Sequence, residues 1–102
     1  MSMHYLYILY SESSDIYYVG QTDDIDLRLK HHNFSDQLTF TSKHRPWELK
    51  TLFTVESRSV AMTLEKFIKK QKSRKFIERL VDKDFIPDGK LSQLIRVPHV
   101  RD

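Results

Sequence analysis

Apolar positions recur along this chain with two different periods, and the change of period separates strands from helices. Tyr5 to Tyr10 is dense in aromatic and β-branched residues, the signature of a strand. Alternation sets Leu6 and Ile8 on one face and Tyr5, Tyr7 and Leu9 on the other. The polar run Ser11 to Asp15 predicts a turn, and Ile16 to Gln21 predicts a second strand. So short a connection predicts an antiparallel hairpin. A helix then starts near Thr22 to Asp24 and runs to about His32 or Asn33, carrying Ile25 and Leu29 inward. Asp23 is placed to cap it, and Asp26 puts negative charge in the first turn, where the helix dipole favours it. Phe34 to His44 is polar and irregular and predicts a loop. Arg45-Pro46-Trp47 leads into a third strand, Glu48 to Val55, with Pro46 at the entrance, where a missing N–H costs little. Ser57 to about Lys72 predicts a helix capped by Ser57 or Ser59, with Ala61, Leu64, Phe67 and Ile68 as its apolar stripe. Ser73 to about Val81 predicts a second short helix turning Phe76, Ile77 and Leu80 inward. Pro87-Asp88-Gly89 predicts a turn, and Leu91 to Val97 a short closing element. The order β-β-α-β-α-α predicts an α+β fold, a small antiparallel sheet with helices packed on it. The 102 residues are read as a single domain, with a core over about 3–82 and a C-terminal extension over 83–102.

Composition narrows the chemistry. The chain has no cysteine, which excludes disulfides, thiolate zinc sites and cysteine nucleophiles and agrees with a reducing cytoplasm. No apolar run approaches the roughly 20 residues of a membrane helix. The first residues, Met1-Ser2-Met3-His4-Tyr5, lack a basic stretch followed by an apolar one, so no signal peptide is expected. A cytoplasmic location is therefore expected. The net charge of +3 matters less than its distribution. Asp23, Asp24 and Asp26 cluster early, whereas Lys66, Lys69, Lys70, Lys72, Arg74, Lys75 and Arg79 cluster late, diluted by Glu78. Such a one-sided basic segment suits a phosphate backbone. The other reading of it is a solvated helix face.

Three features carry candidate chemistry. Tyr7 and Tyr18 sit on neighbouring predicted strands and share a face of the sheet, although strand tyrosines also serve simply as packing residues. Gly20 removes a side chain where the second strand hands over to the helix, which admits a ligand or relieves a tight turn. Arg28 and His32 are spaced i, i+4 on one helix face. Arginine grips two phosphate oxygens at once, and histidine moves protons near neutral pH. Glu65 lies inside an apolar helical stretch, where a carboxylate can hold Mg²⁺ or pair with Lys69 at i+4. There is no GxxxxGK[ST] loop, no GxGxxG, no HExxH and no dense acidic cluster of the two-metal kind.

The ordered set Tyr5-Leu6-Tyr7-Ile8-Leu9, Tyr17-Tyr18-Val19-Gly20, Leu27-Arg28-Leu29 and His32-Asn33 resembles the GIY-YIG nuclease superfamily. Within it the chain looks like the short single-domain branch related to the excinuclease nuclease domain. Arg45-Pro46-Trp47-Glu48-Leu49 and the Ala61 to Lys70 helix also fit, so the resemblance covers about residues 3–82. It implies a three-stranded antiparallel sheet flanked by helices and a metal-dependent endonuclease that hydrolyses DNA phosphodiesters with one Mg²⁺ or Mn²⁺, in DNA repair or processing. By position, Tyr7 and Tyr18 match the motif tyrosines, Gly20 the second-motif glycine and Arg28 the catalytic arginine. His32 matches a position held by tyrosine or histidine, and Glu65 the single metal-binding glutamate. Lys66, Lys69, Lys70, Lys72, Arg74 and Lys75 would then contact DNA. Tyr5 replaces the first-motif glycine, and Gln21 stands where some relatives carry lysine. The sole asparagine is Asn33, so the late asparagine of many relatives is missing. These departures leave open a second reading, a nucleic-acid-binding module of the same fold with weak or lost cleavage, and a third, a plain interaction domain. No membrane and no small-molecule cofactor are expected, and a protein partner is left open.

Overall fold

The structure is a computed structural model and describes residues 3–98. Met1 and Ser2, part of the stretch in which no signal peptide is expected, and residues 99–102, the end of the expected extension, lie outside the described residues. The chain forms β1 (His4–Ser11), β2 (Ile16–Thr22), α1 (Ile25–Phe34), β3 (Trp47–Val55), α2 (Arg58–Lys70), α3 (Arg74–Val81) and β4 (Ile95–Arg96). Two 3₁₀ turns, Thr41–His44 and Gly89–Leu91, punctuate the connections. The sheet is antiparallel in the order β2-β1-β3-β4.

β1 is central and apolar on both faces, as a strand covered on both sides must be. Leu6 and Ile8 join Phe53, Ala61, Leu64 and Ile68 in the core under α2 and α3. Tyr7 and Leu9 join Trp47 and Leu52 in a second cluster on the opposite face, against which Ile25 and Leu29 of α1 pack. The alternation expected for β1 therefore holds, and it divides the interior into two compartments.

The expected three strands are four. β4 pairs Ile95 with Thr54 and Arg96 with Phe53, and the Val97 amide donates to the Leu52 carbonyl at 2.9 Å. Leu91 and Leu94 bury into the core and draw the chain back along β3. The Arg96 guanidinium lies 4.8 Å from the Phe53 ring centroid and donates to Thr51 Oγ1 at 2.7 Å. A two-residue strand is too short to show a period, so pattern alone placed only a closing element there.

α1 is capped by Asp24 rather than Asp23. The Asp24 carboxylate accepts the Leu27 amide at 3.0 Å, and Thr22 Oγ1 accepts the Asp24 amide at 3.1 Å. The helix carries only half-buried Ile25 and Leu29 and buried His32 inward, so polar ties must supplement its packing. Asn33 provides one: its amide donates to the Trp47 carbonyl at 3.0 Å and accepts the Trp47 amide at 2.6 Å. Arg45 provides another, donating to the carbonyls of His32 and Ser35 at 2.6 and 2.7 Å. Arg45 satisfies carbonyls that a helix C-terminus leaves open, and Asn33 ties α1 to the start of β3.

α2 is capped by Ser57 and α3 by Ser73, each hydroxyl accepting an amide of the first turn. Such caps contribute about 1 kcal/mol each. No helix among the described residues is long and apolar enough to cross a membrane.

Candidate active site

Three rings meet on the α1 side of the sheet. Tyr7 from β1 and Tyr18 from β2 have centroids 6.4 Å apart, and His32 from α1 lies 5.9 Å from Tyr7 and 5.0 Å from Tyr18. The strand register explains the meeting. Tyr7 stands opposite Gly20 and Leu9 opposite Tyr18, so the two tyrosines are diagonal neighbours on one face.

Gly20 has a specific part in this. A Cβ built there would fall 2.9 Å from Tyr7 Cε2 and closer still to Cζ and Oη. The missing side chain neither receives a ligand nor relieves a turn; it receives the Tyr7 phenol. Gly20→Ala should therefore destabilise the fold by about 1–3 kcal/mol, the range for overpacking a filled interior. Urea unfolding measures this, and an unchanged midpoint would show that the Tyr7 ring has another place to go.

The phenol that slides over Gly20 reaches the imidazole. Tyr7 Oη and His32 Nε2 are 2.9 Å apart, with both residues buried. Burial pushes the Tyr7 phenol above its ordinary value; the Tyr18 and Glu65 charges raise it further and the Arg28 charge opposes them. Burial also pushes the His32 imidazole down to about 4, assisted by the positive fields of Arg28, His31 and Arg45. Near neutral pH both groups are uncharged. His32 Nε2 is then free to accept the Tyr7 proton, which places the imidazole's own hydrogen on Nδ1. Nδ1 is buried and has no hydrogen-bond partner among the described residues.

Arg28 lies on the exposed surface of α1, one turn before His32, and rims a cleft of about 470 Å³ with His4, Gln21, Asp23 and Arg58. It is exposed enough to reach an external phosphate, yet its charge is felt by both Tyr7 and His32. Glu65 of α2 lies close enough for its charge to act on Tyr7. Its carboxylate accepts a hydrogen bond from Lys69 Nζ at 2.6 Å, and its side chain is 20% exposed. The alternative ion pair with Lys69 is thus present, and Lys69 also lies 5.3 Å from the Tyr18 ring centroid. The Lys69 ammonium thus contacts both Glu65 and the Tyr18 ring.

Among the described residues no group of three or more His, Asp or Glu is placed to hold a metal. Glu65 offers a single carboxylate, which fits Mg²⁺ or Mn²⁺ only if water and substrate oxygens complete the shell. Mg²⁺ commonly binds in that way.

The late basic segment divides. Lys66, Lys70, Lys72 and Lys75 are exposed, and Lys69 belongs to the ring cluster. Arg74 braces the β1–β2 turn. It donates to the Asp15 carboxylate at 2.6 Å and its carbonyl at 2.7 Å, pairs with Glu78, and packs over the Tyr17 ring. Tyr10 also donates to Asp15, and Asp15 itself has a positive φ of 54°.

Sequence reading passed over Phe40. Its ring lies nearly parallel to Tyr18, at 6.5 Å and 27°. The single available signal was an aromatic residue in a largely polar loop.

A family model described as GIY-YIG catalytic domain matches residues 3–78. The chain is 37% identical over 68 residues to a UPF0213 protein of Halobacterium salinarum, covering 66% of this chain and 86% of that one. It is 30% identical over 98 residues to a UPF0213 protein of Fusobacterium nucleatum, covering 96% and 93%. The solution structure of a UPF0213 protein of Bacillus halodurans is similar with a TM-score of 0.50 and 32% identity, over 83% of this chain and 88% of that one.

Proposed function

The chain belongs to the GIY-YIG catalytic-domain family, and from that premise we propose that it is a metal-dependent endonuclease hydrolysing DNA phosphodiesters, in DNA repair or processing. The observation that carries the reading is the buried contact of 2.9 Å between Tyr7 Oη and His32 Nε2, with Arg28 and Glu65 both acting on it.

Glu65 would hold one Mg²⁺ or Mn²⁺, releasing Lys69. Bound there, the ion supplies charge neutralisation at the phosphate and replaces a negative field on Tyr7 by a positive one. Arg28 binds the non-bridging oxygens and offsets the charge that builds on phosphorus. Tyr7 orients the attacking water. As the water oxygen bonds to phosphorus, its proton passes to Tyr7 Oη, while the Tyr7 proton passes to His32 Nε2. The P–O bond to the leaving 3′ oxygen breaks, that oxygen takes up a proton from solvent, and the short-lived imidazolium gives its proton back to solvent. A tyrosine acting alone would be a poor base, because its phenol stays protonated at neutral pH. A neutral imidazole behind it gives the phenol proton a place to go. Tyr18 supports the pair through its ring contacts and directs its hydroxyl to water or phosphate. Lys66, Lys69, Lys70, Lys72, Arg74 and Lys75 would attract the backbone without reading sequence, Arg74 doing so from a position already set by Asp15.

The test is direct. The protein is incubated with nicked, flapped and branched DNA, with Mg²⁺, with Mn²⁺ and with chelator. Cutting that requires the metal is expected. Binding without cutting in either metal would favour the same fold as a binding module, the reading to which Gln21 and the missing late asparagine contribute.

A further inference from the structure

Phe40 exposes 56% of its surface, and it is not loosely held. It precedes the 3₁₀ turn Thr41–His44. Thr39 and Ser42 exchange hydrogen bonds across it, with the Thr39 amide donating to Ser42 Oγ at 3.0 Å and Ser42 Oγ donating to the Thr39 carbonyl at 2.7 Å. The turn is anchored to the core where the Trp47 indole donates to the Thr41 carbonyl at 2.8 Å. His44 backs the Phe40 ring at 4.7 Å. A large apolar ring on a braced turn forfeits the stabilisation that burial would bring; Phe34 and Leu38 nearby are exposed too, and Phe40 is distinguished by its ring contact with Tyr18.

Its neighbours indicate which ligand. Inward, the near-parallel Tyr18 ring joins Phe40 to Tyr7 and His32. The Lys43 amide bonds to the Phe40 carbonyl at 3.3 Å, and in a 3₁₀ turn side chains three apart eclipse one another. Lys43, three residues on in the same turn, is exposed, and Lys69 of α2 flanks the Tyr18 ring. Aromatic faces bordered by cations are how proteins hold single-stranded nucleic acid, one ring to a base and one charge to a phosphate. A base inside a duplex has both faces stacked and cannot reach such a ring.

We infer that Phe40 is a stacking platform for an unpaired nucleobase next to the cut phosphate, which makes DNA with an unpaired nucleotide at the cut the preferred substrate. This rests on the nuclease reading and adds to it the substrate class.

The test compares one labelled strand, single-stranded and fully paired, with wild type, Phe40→Ala and Phe40→Trp. A 2-aminopurine base in the single strand reports stacking directly. Wild type is expected to cut the single strand at least about tenfold better, by kcat/KM, and to quench the 2-aminopurine. Phe40→Ala should lose about tenfold or more on the single strand, mainly in KM, and the quench with it. Its loss on the duplex should be much smaller, its thermal melt unchanged, and Phe40→Trp should restore both readouts. Equal cutting of both substrates by wild type, or equal loss on both, would overturn this inference while leaving the nuclease intact. A change in self-association with Phe40→Ala and no change on DNA would instead make the ring a protein contact and overturn it too. If wild type neither binds nor cuts either DNA, both readings fall.

Discussion

Tyr7→Phe is expected to fold and to cut DNA about 10²–10⁴-fold more slowly, the range for removing a general acid–base group. The ring still fills the slot over Gly20, and the loss to stability is about 1–3 kcal/mol, because buried His32 Nε2 is left unpaired. What disappears is the oxygen between the attacking water and His32. The pH profile adds a second readout. His32 must be neutral to accept the proton, and its imidazole is depressed to about 4. Wild-type single-turnover rates should therefore hold as pH falls through the ordinary histidine range and drop only towards pH 4. A variant within about threefold of wild type at neutral pH would remove Tyr7 from the chemistry.

Glu65→Ala is expected to end metal-dependent cutting, by about 10³-fold or more, because metal stabilisation of charge at the phosphate amounts to several kcal/mol. DNA binding should persist and even tighten. The substitution removes a negative charge beside the backbone path and frees Lys69 from its pair. Stability should change by less than about 1 kcal/mol, since the pair is partly exposed and such pairs contribute little. Anisotropy with a labelled oligonucleotide, beside the cleavage assay in Mg²⁺ and Mn²⁺, separates the two effects. Cutting that survived in Glu65→Ala would mean that the carboxylate is only the partner of Lys69.

How much of this was legible depends on how local each signal is. The hairpin, three strands and both late helices rest on contiguous patterns and were readable in advance, whereas the choice of Ser57 over Ser59 as cap was not. Asp24 displaced Asp23 as the cap by one position, a difference set by the Thr22 hydroxyl folding back on the Asp24 backbone. β4 escaped because its pairing depends on Leu91 and Leu94 finding the core. The positions of Tyr7, Tyr18, Arg28, His32 and Glu65 were identified from motif order and spacing, yet each alone had an ordinary packing or ion-pair explanation. For Glu65 that explanation is also physically present, as the contact with Lys69.

The amino-acid sequence by itself determined which side chains share a face, because strand and helix periods are properties of a backbone with fixed geometry. Only the tertiary structure decided what those side chains do to one another. Gly20 became a seat for the Tyr7 phenol because the β1–β2 register sets the two opposite each other. His32 became a neutral imidazole because α1 carries it against the sheet, and burial disfavours its charged form. Arg74 became a brace because Asp15, far away in sequence, folds back to meet it. Phe40 became an outward ring beside the site because a turn anchored on Trp47 holds it there. Burial, register and long-range contact all depend on what the rest of the chain does, and no local pattern encodes them.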